Sequence, residues 1–152
     1  MFVLLKRLQQ LRRTVALPAP TKPGSLALRH VDCGSCNGCE HELANAAGPH
    51  YDLDRYGLSV VASPRHADVL MVTGPVTKNM REALLRTYNA TPDPKWVVAV
   101  GACAVDGGIF KKSDAVEGGV KDVVPVDLHI AGCPPNPRQL LAGLLALLQN
   151  AA

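Results

Sequence analysis

The chain has 152 residues, which suits one domain, and 47% of them are hydrophobic, enough for an ordinary core. Charged residues are only 19%, the formal net charge is +3 and aromatic residues are 4%, a balance that excludes a nucleic-acid binder built on a basic stripe or on base stacking. No apolar run approaches the roughly 18–20 residues that span a bilayer, and Lys6, Arg12, Arg13 and Pro18 break up the N-terminal apolar residues before they can form an export signal. The low charge suggests a surface partly covered by partners. The chain is read as cytoplasmic, where five cysteines serve more readily as metal ligands or reactive thiols than as disulfides.

In chain order, residues 1–13 are expected to form a short helix, with Leu4, Leu5, Leu8 and Leu11 at helical spacing and Lys6, Arg7 and Arg13 off that stripe. Residues 14–25, with Pro18, Pro20, Pro23 and Gly24, read as an extended linker. Two units follow: an N-terminal amphipathic helix with its linker (1–25) and the body of the chain, one domain over 26–152. The basic helix is expected to dock on a membrane-embedded partner or lie at the headgroup level, against the plainer expectations of a helix covering the sheet or a frayed terminus.

In the body, Leu26–Asp32 reads as a strand, Glu40–Ala47 as a helix ended by Gly48-Pro49, Leu58–Ala62 and Asp68–Thr73 as strands, and Lys78–Asn89 as a helix. The loop Thr91–Lys95 leads to an apolar strand, Trp96–Val100. Residues 104–122, glycine-rich, read as one long functional loop, Val124–Ala131 as a strand, and Arg138–Leu148 as an apolar final helix. Apolar strands alternating with helices imply an α/β fold, an open parallel sheet with helices on both faces.

Each cysteine falls just beyond a predicted strand. Cys33, Cys36 and Cys39 follow the first body strand, Cys103 follows Trp96–Gly101, and Cys133 follows Val124–Ala131. In open α/β sheets that edge, at a switch point in strand order, is where ligands bind, so cysteines distant in sequence are expected to share one crevice. A cubane cluster needs four thiolates and an unobstructed loop. Cys36-Asn37-Gly38-Cys39 supplies two neighbouring ligands, and Gly101 and Gly132 allow close backbone approach beside Cys103 and Cys133. Pro134 removes an amide donor after Cys133 and stiffens the exit from the site. A structural zinc site also uses four cysteines, but it usually brings two C-x-x-C knuckles, whereas Cys103 and Cys133 stand alone. A thioredoxin-like pair accounts for Cys36 and Cys39 only. Individually buried core cysteines are the remaining alternative.

Four stretches, Cys33–Glu42, Ser63–Asn79 (SPRHADVLMVTGPVTKN), Ala99–Phe110 (AVGACAVDGGIF) and Val124–Pro137 (VPVDLHIAGCPPNP), resemble the small subunit of membrane-bound, energy-converting nickel–iron hydrogenases, including formate hydrogenlyase. The superfamily includes the 20 kDa-type subunit of complex I. The resemblance runs from about His30 to Leu148. It implies a flavodoxin-like fold and one 4Fe–4S cluster, with Cys36, Cys39, Cys103 and Cys133 as ligands and no ligand role for Cys33. It implies an electron relay between a nickel–iron-type large subunit and a ferredoxin-like iron–sulfur subunit, beside membrane-arm subunits, peripherally on the cytoplasmic side of the inner membrane. Complex I subunits place two cysteines side by side where this chain has Cys36-Asn37-Gly38-Cys39, which favours the hydrogenase branch over quinone reduction. The cleaved leader and second, two-cluster domain of exported hydrogenase small subunits are not expected here.

The chain is not expected to catalyse alone. Glu40 is the one further candidate, either proton-coupled beside the cluster or a carboxylate favoured by the start of its helix. His41, His50, His66 and His129 have no ligand spacing among themselves. Arg65 and Arg81 are candidates for pairing with a partner subunit, or plain solvated charges.

Overall fold

The computed structural model of the chain describes residues 24–151, so the expected helix over 1–13 and all but the last two residues of the expected linker lie outside the described residues. Within them run the strands β1 (Leu26–Asp32), β2 (Leu58–Val60), β3 (Val69–Thr73), β4 (Val76–Thr77), β5 (Trp96–Val100), β6 (Val116–Gly118) and β7 (Leu128–Ile130), and the helices α1 (Gly38–Ala47), α2 (Lys78–Ala90), α3 (Ala102–Asp106) and α4 (Pro137–Ala151). β2, β1, β3, β5 and β7 form a five-stranded sheet in that order, parallel throughout. This is the flavodoxin-like order, with its switch point between β1 and β3. β4 and β6 form a separate antiparallel pair.

Register aligns the strand ends. Asp32 lies opposite Thr73, Thr73 opposite Val100, and Val100 opposite Ile130. These four adjacent strands therefore release their chains along one line, and the loops that follow must crowd a single rim. β3 is buried at every position and β5 at all but its first, as expected of inner parallel strands covered on both faces.

Alternation along the strands divides the core in two. One cluster takes Leu26 and Leu28 of β1, Val69 and Met71 of β3, and Leu140 and Leu144 of α4, with Leu43 of α1. The other takes Val31 and Cys33, Leu70 and Val72, and Leu84 of α2.

Several expected bounds move by one to three residues, and two expectations change further. The last sheet strand is confined to Leu128–Ile130, because Asp127 closes its start: its amide donates to Val97 O at 2.9 Å and its Oδ2 accepts from Val97 N at 2.7 Å. Pro125 just before has no amide to extend the ladder. The expected single loop over 104–122 is broken by the end of α3, a 3-10 turn at Gly108–Phe110, β6 and a second turn at Val120–Asp122.

Candidate metal centre

The first rim loop is shaped by Asp32. Its Oδ1 accepts from Gly34 N at 2.8 Å and Ser35 N at 2.7 Å, turning the chain as it leaves β1. Burial opposes ionisation of Asp32, yet these amides carry its pKa below the ordinary value. The chain then climbs through Cys36 to α1, whose first turn carries Cys39. The loops after β5 and β7 are stitched together: Gly101 N donates to Ile130 O at 2.8 Å and Ala102 N to Gly132 O at 2.7 Å. Cys103 and Cys133 thereby become neighbours in space.

Two glycines make the room. Gly101 has φ +86°, and a Cβ there would lie 2.6 Å from Cys39 Sγ, so the thiol occupies the space a side chain would fill. Gly108 has φ +51°, and a Cβ would stand 3.0 Å from Cys103 Sγ. A Cβ on Gly38 would lie 3.6 Å from Cys36 Sγ and 3.7 Å from Pro134, tying the first loop to the residue after Cys133.

Charge reports the same convergence. The Cys39 thiol is pushed up to about 12, by burial first, then by the negative charges of Glu40, Cys103, Cys36 and Cys133. Burial, then Cys133 and Cys36, raises Cys103. Burial and this crowding favour the protonated forms of Cys39 and Cys103, so holding them as thiolates calls for a cationic group at the rim. Cys36 and Cys133 are exposed, and Cys39 and Cys103 half-buried.

Cys33 is placed differently. It is fully buried among Val31, Val72 and Val76 on the opposite face from Cys39, and its thiol is pushed up to about 12, by burial first and by Asp32 second. It is a core side chain, set apart from the other four cysteines.

Among the described residues, no group of three or more His, Cys, Asp or Glu side chains is arranged to hold a single metal ion. A cubane offers four separate irons to four thiolates, so its ligands stand further apart than those of one ion. The thiol-only donor set and the glycine-lined cradle suit an iron–sulfur group held by Cys36, Cys39, Cys103 and Cys133.

Glu40 sits in the first turn of α1 but is turned to the sheet end, where its Oε1 accepts from Thr73 Oγ1. Thr73 Oγ1 lies 2.8 Å from His30 Nε2. His30 and Thr73 gave no signal in the sequence, since they meet only through the pairing of β1 with β3. The other histidines singled out, His41, His50, His66 and His129, are all exposed, as are Arg65 and Arg81.

The fold and rim define a flavodoxin-like α/β domain with a thiol-lined carboxyl edge. The family model described as NADH ubiquinone oxidoreductase, 20 Kd subunit, matches residues 36–147, and the chain belongs to that family. A Pyrococcus furiosus protein described as probable membrane-bound hydrogenase subunit mbhJ is 46% identical over 123 residues, covering 81% of this chain and 74% of that one. Formate hydrogenlyase subunit 7 of Escherichia coli is 49% identical over 118 residues, or 78% of this chain and 46% of that one. Among solved structures, a chain of the membrane-bound sulfane sulfur reductase, an archaeal respiratory membrane complex, superimposes with a TM-score of 0.72 at 34% identity, over 82% of this chain and 69% of that one.

Proposed function

We propose that this chain is the electron-transfer subunit of a membrane-associated hydrogenase complex, carrying one 4Fe–4S cluster on Cys36, Cys39, Cys103 and Cys133. The observation that carries the reading is the convergence of these four thiols from three loops onto one glycine-lined rim. When bound, such a cluster supplies one-electron redox chemistry. The chain's own part is to hold and orient. Gly101 admits Cys39 Sγ, Gly108 admits Cys103 Sγ, and the Asp32 turn directs the chain toward Cys36. The exposure of Cys36 and Cys133 leaves the rim open to a partner.

Electrons then pass between a nickel–iron-type large subunit at the rim and a ferredoxin-like iron–sulfur subunit, with membrane-arm subunits alongside. The names of the relatives support this assembly, since one is a membrane-bound hydrogenase subunit and another a formate hydrogenlyase subunit. No helix among the described residues is long and apolar enough to cross a membrane. In this reading the chain is held peripherally, on the cytoplasmic side of the inner membrane.

A second reading, transfer to quinone in a complex I-like assembly, is favoured by the description of the family model itself. Anaerobic purification of the complex tests both. The chain should bring about four irons, and the co-purifying large subunit should carry two C-x-x-C pairs if it binds nickel. A large subunit without them transfers the assignment to quinone chemistry. An iron-free chain sinks both.

A further inference from the structure

α1 begins poorly. Its N-cap, Asn37, is in the left-handed region with φ 66° and makes no side-chain capping bond, and its first residue is Gly38, a weak helix former. Yet this turn carries Cys39, whose Sγ takes the space a Cβ on Gly101 would need. Something other than a cap must fix the turn.

Three side chains supply it. Thr73, 1% exposed at the end of β3, gives its hydroxyl proton to Glu40 Oε1. A carboxylate only accepts and a hydroxyl has a single proton, so the contact at 2.8 Å to His30 must run from Nε2–H to Thr73 Oγ1. His30 Nε2 also lies 3.5 Å from Glu40 Oε1. Burial lowers the pKa of His30, with Glu40 and Asp32 opposing, which suits a neutral ring protonated at Nε2. The chain of bonds joins β1, β3 and the first turn of α1.

We propose that Thr73 is a positioning residue for the Cys39 thiolate: through Glu40 it holds the first turn of α1 on the sheet edge and keeps Cys39 Sγ in the space left by Gly101. The proposal rests on Cys39 being a cluster ligand. It assigns Thr73 no contact with the cluster and no proton transfer. Its effect is to limit how far Cys39 can move, in a site where ligand placement must hold within about half an ångström.

The test uses the full-length chain, purified anaerobically with its cluster, as wild type and as Thr73→Val, Thr73→Ser, Glu40→Ala and Cys39→Ser. Two quantities are read: the rate at which an iron chelator strips the cluster, and the electron paramagnetic resonance spectrum of the reduced cluster. Thr73→Val keeps the volume and loses the hydroxyl. It should lose iron roughly tenfold faster, the scale of one hydrogen bond to a charged group, with an altered spectrum. Glu40→Ala, which removes the acceptor from the helix side, should do the same and serves if Thr73→Val does not fold. Thr73→Ser should restore the wild-type rate and spectrum.

Wild-type rates and spectra in both Thr73→Val and Glu40→Ala overturn the proposal. So does equal loss in Thr73→Val and Thr73→Ser that follows a common fall in melting temperature, which marks a merely structural role. If Cys39→Ser keeps all its iron, the ligand assignment falls and the proposal with it. Cluster loss in Cys39→Ser beside an unchanged Thr73→Val removes only the positioning role.

Discussion

The two faces of the sheet treat a cysteine in opposite ways. On the α1 and α4 face, Cys39 packs partly against the core of Leu28, Met71, Leu140 and Leu144, while its sulfur reaches the rim beside Gly101. On the α2 face, Cys33 is sealed among Val31, Val72 and Val76. The two come from one loop, six positions apart. Spacing alone makes Cys33, Cys36 and Cys39 an even series; the sheet separates them. Cys33 follows Val31 by two residues and keeps the strand's alternation, so it points where Val31 points. Beyond it the Asp32 turn ends the alternation and frees the later cysteines. A thiol that leaves a strand thus stays with the core until the backbone has turned.

The largest expected effect tests that division directly. Serine at Cys36, Cys39, Cys103 or Cys133 should lose or convert the cluster, counted as iron per chain after anaerobic purification, while Cys33→Ser should retain about four irons. A cluster intact in Cys103→Ser and lost in Cys33→Ser would reverse the comparison. Next is Gly101→Ala. A side chain at φ +86° costs about 1–3 kcal/mol of backbone strain, and its Cβ would lie 2.6 Å from Cys39 Sγ. We expect a lower melting temperature together with a cluster that fails to fill, and a fully loaded variant would show that the slot is wider than drawn. Smaller again is the contrast between Leu140→Ala and Leu84→Ala, both fully buried but on opposite faces. Each should cost about 2–5 kcal/mol in a denaturant titration. Only Leu140→Ala should also hasten cluster loss, because α4 packs on α1. Equal hastening by Leu84→Ala would mean that the faces are not independent.

The sequence was most legible where one force dominates. Leu26–Asp32 and Trp96–Val100 match the observed strands, and Lys78–Asn89 matches α2 to within a residue, because apolar pattern and flanking breakers agree there. That cysteines far apart in sequence would meet was also readable, since parallel strands deliver their loops to one edge. Three things were not. The start of β7 is set by Asp127 pairing with Val97, a tertiary bond with no local signature. The structure within 104–122 depends on β6 finding β4, whose two residues, Val76 and Thr77, are too few to show a period. The His30–Thr73–Glu40 contacts join residues 33 and 43 positions apart, so only the finished register brings them together.

The smallest effect is a pH dependence that belongs to the sealed face. Cys33 in the fold is pushed up to about 12, by burial first and by the negative charge of Asp32 second, whereas a free cysteine titrates near ~8.5. Between those values the folded chain keeps a proton that the unfolded chain has released, so unfolding gains a driving force as pH rises. The stability contributed by the buried thiol is complete below about 8.5 and is lost progressively as pH climbs toward about 12. Denaturant midpoints of the iron-free, full-length chain between neutral pH and pH ~10 should fall more steeply in the wild type than in Cys33→Ala. The comparison is of slopes, so the small cavity left by alanine, which lowers stability at every pH, does not interfere. The same protonation predicts that iodoacetamide near neutral pH, which needs a thiolate, leaves Cys33 unmodified in the folded chain and alkylates it on unfolding. Equal slopes, or alkylation of Cys33 without unfolding, would show that the thiol reaches solvent and that the loop after β1 opens on both faces.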